Sequence, residues 1–170
     1  MIAAVPVQTP APAGESAPHR LERVYACIHA QRMRDLPILN PRLFVESIGF
    51  EEGAQGWFGA LITPWFLNLV FLPGAGATGA LAPGATGSRA LPGAAIDMIG
   101  AWHEELGAFE ACSLLSPVTQ LADQATARAV ARLALADLRT APGTPLAAPA
   151  DAAPMSKRDF LLGLRRDRSR

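Results

Sequence analysis

The chain of 170 residues is half hydrophobic and carries 15 Lys and Arg against 15 Asp and Glu, so its formal net charge is zero. That length supports one domain with a real core, and the neutral balance argues against a general nucleic-acid binder. Its two cysteines, Cys27 and Cys112, form no C-x-x-C pair, too few ligands for a rubredoxin-like or zinc-ribbon site. Isolated thiols fit a reducing compartment, with a single disulfide as the alternative.

Residues 1–18, MIAAVPVQTPAPAGESAP, have no basic start and no long apolar run. They read as a disordered leader rather than a signal peptide, which places the chain in the cytoplasm. A single domain is expected over 19–140. Its first helix runs from about Ser16 to Asp35, with Leu21, Val24, Tyr25 and Ile28 at helical spacing and Pro37 as the stop. Pro37 to Pro41 form a rigid, extended turn. Strand-like segments follow at 43-LFVESIGF-50, 57-WFGALIT-63 and 65-WFLNLVFL-72, then a low-complexity loop over 73–88. Two further strands are expected at 94–102 and 109–115, joined near Gly107. A second helix is expected after Ser116-Pro117, with Ser at the N-cap and Pro at the first helical position. Val118, Leu121, Ala122, Ala125, Ala129 and Leu133 would form its buried face. The fold class is α+β: an antiparallel sheet of about five strands flanked by an N-terminal and a C-terminal helix. A Pro/Ala-rich linker over 141–155 and a basic tail over 156–170 complete the chain.

The stretch 57–73 is uncharged and nearly long enough to span a membrane. Pro64, Asn68 and its β-branched and aromatic residues favour two buried strands instead. The match of 74-GAGATG-79 to the dinucleotide fingerprint lacks the helix a pyrophosphate needs, because A-L-A-P-G follows. No cofactor or metal is expected. Cys112 and His103, if brought together across the last two strands, would suit a small thiol-dependent enzyme; the plainer reading is a buried thiol and a surface imidazole. Trp57, Trp65 and Phe66 suit a core, yet aromatics beside a Pro turn also anchor partners. Asn68 is polar inside an apolar run and must find a hydrogen-bond partner.

Charge is unevenly spread. Residues 43–127 hold Glu46, Glu51, Glu52, Asp97, Glu104, Glu105, Glu110 and Asp123 against Arg89 alone, a net of −7. The tail holds Lys157, Arg158, Arg165, Arg166, Arg168 and Arg170 against Asp159 and Asp167, a net of +4. Its S-K-R-D-F-L-L, from Ser156, is close to the twin-arginine export signature S-R-R-x-F-L-K, with Lys157-Arg158 in place of Arg-Arg.

The stretches 32-RMRDLPILNPRLFVESIGF-50, 57-WFGALITPWFLNLVFLPG-74, 111-ACSLLSP-117, 122-ADQATARAVA-131 and 155-MSKRDFLLG-163 together resemble the HybE/HupJ-type [NiFe]-hydrogenase assembly chaperones. The resemblance implies a non-enzymatic, cytoplasmic protein. It would bind small- and/or large-subunit precursors of the hydrogenase, the small subunit through its twin-arginine signal peptide, until maturation is complete. Other maturation proteins are further candidate partners; nucleic acid and a membrane span are not expected. A receptor for two guanidiniums and an apolar stretch needs carboxylates beside an apolar groove. The partner-binding residues expected on these grounds are Trp57, Trp65, Phe66, Asn68, Glu104 and Glu105. In the tail they are Lys157, Arg158 and Phe160, placed to occupy the chain's own peptide groove as a pseudo-signal.

Overall fold

The structure, a computed structural model, describes residues 14–34, 36–77 and 79–140. Helix α1 (Ala17–Ile28) runs on into a π-helical turn at His29–Met33. Six strands follow: β1 (Glu46–Gly53), β2 (Gly56–Ile62), β3 (Leu67–Pro73), β4 (Thr86–Ala90), β5 (Ala95–His103) and β6 (Gly107–Leu115). Helix α2 (Gln124–Arg139) closes the order. All pairings are antiparallel, and the strand order is β1-β2-β3-β6-β5-β4. This is the expected α+β architecture.

The continuous apolar run 57–73 folds as β2 and β3 because both faces of these central strands are covered, which removes the usual alternation of polar and apolar residues. Ala60, Ile62, Leu67 and Leu69 face α2 and pack with Ala127, Ala131 and Leu135. Leu61, Val70 and Leu72 face α1 and pack with Leu21 and Phe109. Among the described residues no helix is long and apolar enough to cross a membrane.

β4 is the strand beyond the expected five, and it comes largely from the Gly/Ala loop. Its side chains, Thr-Gly-Ser-Arg-Ala, give no apolar pattern. The ladder to β5 holds it, together with Arg89. That guanidinium lies 3.4 Å from the Phe71 ring centre of β3 and 2.9 Å from the Glu110 carboxylate of β6. A paired cation therefore ties the edge strand to the sheet centre.

α2 begins at Gln124, not after Ser116-Pro117. Asp123 is the N-cap, its carboxylate accepting the Thr126 N–H at 2.7 Å. The later start shifts the buried face to Gln124, Ala127, Ala131 and Leu135. Ala125 and Ala129 of the expected face are exposed, and Leu133 is 42% exposed. In so alanine-rich a stretch, periodicity does not fix the phase of the helix; the cap and Gln124 do. Gln124 grips the backbone of Phe44 at both its N–H and its carbonyl, as a neighbouring strand would. Val118 and Leu121 are buried as expected, but in the turn before the helix.

That turn is held by Asn40. Its buried amide donates to the carbonyls of Val118 (3.0 Å) and Leu121 (2.7 Å), and its backbone N–H donates to Pro64 O at 2.7 Å. Asn40→Ala leaves two buried carbonyls without donors, at a cost of about 2–4 kcal/mol. Urea unfolding should show a lower midpoint at unchanged slope; a loss under about 1 kcal/mol would contradict this role.

Candidate partner-binding site

The turn between β2 and β3 is organised by Thr63, which is wholly buried. Its hydroxyl oxygen accepts the N–H groups of Trp65 (3.3 Å) and Phe66 (3.0 Å), and its own N–H donates to Phe66 O at 2.9 Å. The turn stands Trp65 and Phe66 edge to face, with ring centres 5.5 Å apart. Tyr25 of α1 meets Phe66 at 5.7 Å, and His29 of the π-helical turn meets Trp65 at 5.8 Å. Burial pushes the Tyr25 phenol up from its ordinary pKa. The loop from His29 to Asn40 is thus pinned to this turn at both ends, and it presents Leu36 and Ile38 to solvent, 42% and 47% exposed.

Asn68 lies two residues beyond Phe66. It alternates with Leu67 and Leu69 and so lies on the α1 side of the sheet, directly opposite Ser113 of β6. Its side-chain oxygen is buried and has no hydrogen-bond partner among the described residues. α1 covers β1 and β2 and leaves the far half of this face open: Ser113, Asp97, Ser88 and Thr86 are exposed, and Ile99 is 53% exposed. Two of the stretches that carry the resemblance, around Trp65–Asn68 and Cys112–Pro117, are therefore neighbours across one strand pair. Sequence reasoning did not single out Ser113, Asp97, Ile99 or the 62%-exposed Trp102. The alternation of β5 was the available signal for Asp97 and Ile99, since Met98 between them and Gly100 after them are buried.

The remaining expected residues lie elsewhere. Trp57 is opposite Leu72, four residues along β3 from Asn68, or about 13 Å. Glu104 and Glu105 are in the β5–β6 turn at that same far end. Glu105 is committed to Arg23 at 2.7 Å, and Arg23 also holds Glu15. Lys157, Arg158 and Phe160 lie outside the described residues. The local acid surplus is largely neutralised by cations from outside residues 43–127. Arg128 pairs with Glu46 and Arg139 with Glu51, each at 2.8 Å, while Arg89 takes Glu110. Of the acids within 43–127, only Glu52, Asp97 and Glu104 have no ion-pair or capping contact among the described residues, and they do not share one groove. Two clefts of about 420 and 340 Å³ flank Arg89. They offer no free cation from Arg89, whose three guanidinium nitrogens bind Glu110 and Gln55.

The thiol-enzyme alternative meets a geometric obstacle. His103 pairs with Gly107, five residues along β6 from Cys112, or about 16 Å. The two side chains also lie on opposite faces. The His103 Nδ1 accepts the Glu105 N–H at 3.2 Å. Burial, and then the Asp97 charge, push the Cys112 thiol up, away from a reactive thiolate. Both cysteines are free thiols. No cluster of metal-ligating side chains occurs among the described residues, and the sequence after 74-GAGATG-79 leads into strand β4, not a helix.

Fold and surface together define an α+β domain in which a half-buried aromatic corner lies beside an open sheet face that carries hydrogen-bond acceptors. The chain belongs to the HybE family of [NiFe]-hydrogenase assembly chaperones, whose family model matches residues 16–163. It is 40% identical over 159 residues to Protein HoxT of Cupriavidus necator, covering 86% of this chain and 88% of that one. It is 41% identical over 114 residues to the hydrogenase expression/formation protein HupJ of Bradyrhizobium diazoefficiens, covering 67% and 66%. The solution structure of HybE from Escherichia coli has the same fold, with a TM-score of 0.58 at 20% identity over 85% of this chain and 93% of that one.

The placement of Asp97 is open to a direct check. Asp97→Asn removes a charge that raises the Cys112 pKa, so iodoacetamide at pH 8 should label Cys112 faster in that variant than in the parent. Exposed Cys27 should be labelled first in both. An unchanged Cys112 rate would put the Asp97 carboxylate away from β6.

Proposed function

We propose that this protein is a non-enzymatic chaperone of the cytoplasm that holds an [NiFe]-hydrogenase precursor until maturation is complete. Its client is the small subunit, bound through the twin-arginine signal peptide. The observation that carries this reading is the aromatic corner of Tyr25, His29, Trp65 and Phe66, set beside an open, acceptor-bearing sheet face in a member of a hydrogenase assembly family. A signal peptide offers guanidiniums and then an apolar stretch. Aromatic rings anchor the apolar part, and carboxylate and amide oxygens take the guanidiniums. In the tail, Lys157, Arg158 and Phe160 repeat the order of such a peptide, and the family match extends through residue 163. The tail is a competitor for the client site, and the 141–155 linker sets its effective concentration.

A synthetic peptide with S-R-R-x-F-L-K and an apolar extension should bind the full chain, and more tightly at low salt than at high salt. Equal affinity at both would remove the electrostatic part of the reading, and no binding would remove the signal peptide as the client. Deleting residues 156–170 should tighten binding of the same peptide. Unchanged affinity would leave the tail without a competing role, and weaker binding would make it part of the client contact.

A further inference from the structure

We propose that Asn68, Ser113 and Asp97, a row that starts on β3 at the edge of the α1-covered half of the sheet and crosses β6 to β5 where the face is open, form the subsite that takes the guanidinium groups of an extended client peptide. This rests on the signal-peptide reading above. Asn68 and Ser113 are register partners. Ser113 and Asp97 each lie two residues beyond the Ile99–Ala111 pair, on the same face, and Ser88 of β4 faces Asp97. Asn68 and Ser113, on paired strands, are about 5 Å apart, and Asp97 lies past the last β5–β6 register pair.

Every group in the row accepts hydrogen bonds: an amide oxygen, a hydroxyl and a carboxylate. The Asn68 oxygen is buried with no donor among the described residues, so at this covered end of the row a guanidinium is met only when the Asn68 side chain turns its oxygen outward, while Ser113 and Asp97 stand exposed. Asp97 makes no ion pair there, whereas Glu105 is held by Arg23. The Asp97 charge also acts on β6, where it raises the Cys112 thiol in addition to burial. A planar guanidinium with five donors fits such a shelf, and an ammonium offers less geometric match. Apolar surface adjoins the row on both sides. Phe66 precedes Asn68 by two residues, and Ile99 with Ala111 forms the next pair along the strands. Charge and shape thus select a peptide in which paired arginines border apolar residues, and they move the cation-reading function from Glu104 and Glu105 to the opposite end of the sheet.

The test is fluorescence anisotropy with the full chain and three labelled peptides, in which the Arg-Arg pair is kept or replaced by Lys-Lys or Ala-Ala. Asp97→Asn and Ser113→Ala alter exposed side chains and should leave the thermal melt unchanged. Each should weaken the Arg-Arg peptide about tenfold and leave the Ala-Ala peptide unaffected. The parent should prefer Arg-Arg to Lys-Lys by a similar factor. Glu104→Gln and Glu105→Gln should stay within about twofold of the parent. If the parent binds the Arg-Arg peptide but Asp97→Asn and Ser113→Ala bind it equally well, the row is not the subsite while the signal-peptide reading stands. If affinity instead falls with Glu104→Gln, the cations bind at the other end. If the parent binds none of the peptides, both the reading and the row are overturned.

Discussion

Asn40 joins three parts of the chain through hydrogen bonds of its side chain and its backbone. One buried amide satisfies two carbonyls of the 118–121 turn, while the same residue's N–H satisfies Pro64. Three segments far apart in sequence meet there: the loop after α1, the β2–β3 turn and the approach to α2. Buried carbonyls without donors are costly, so these contacts fix where each segment goes. Fixing the Pro64 turn fixes Trp65 and Phe66, and with them the rings of Tyr25 and His29. The aromatic corner is thus a consequence of core hydrogen bonding and is pre-organised before any partner arrives.

The two faces of the sheet are used differently. On the α2 side, Gln124, Arg128, Arg139 and the Arg89–Glu110 pair stitch helix and edge strand down. On the α1 side, the shorter helix covers one half and leaves the other open. An open face in a family of assembly chaperones has an economical physical reading: its small and polar residues, Ser88, Ser113, Ala111 and Thr86, let an extended chain lie flat against the strands, and the neighbouring rings hold its apolar part.

Much of this was legible in the sequence where burial alone decides. β2 and β3 read correctly because a doubly covered strand is apolar almost throughout, and Asn68 stood out as the one polar residue within β3. Helix α2 was legible in type but not in phase, because an alanine-rich stretch offers several equivalent faces and the choice falls to Asp123 and Gln124. β4 was illegible, since its ladder and a single cation hold it without an apolar pattern. The charge tally misled for a related reason. It counted acids in one window, whereas Arg23, Arg128 and Arg139 from beyond that window fold back onto Glu105, Glu46 and Glu51. The clustering of Trp65, Phe66 and Asn68 follows from their closeness in sequence. The pairing of Asn68 with Ser113 is a matter of strand register, which no local pattern announces.

On the reading proposed above, a client occupies the α1-side face between the aromatic corner and β5. Amide chemical-shift mapping of the isotopically labelled full chain, titrated with a twin-arginine peptide, would locate that client. The largest changes should fall at Trp65, Phe66, Asn68, Asp97, Ile99 and Ser113, with the Asn68 side-chain amide among them. Changes concentrated instead at the β1–β2 hairpin and the β5–β6 turn, around Trp57, Glu104 and Glu105, with β3 and β6 silent, would contradict it.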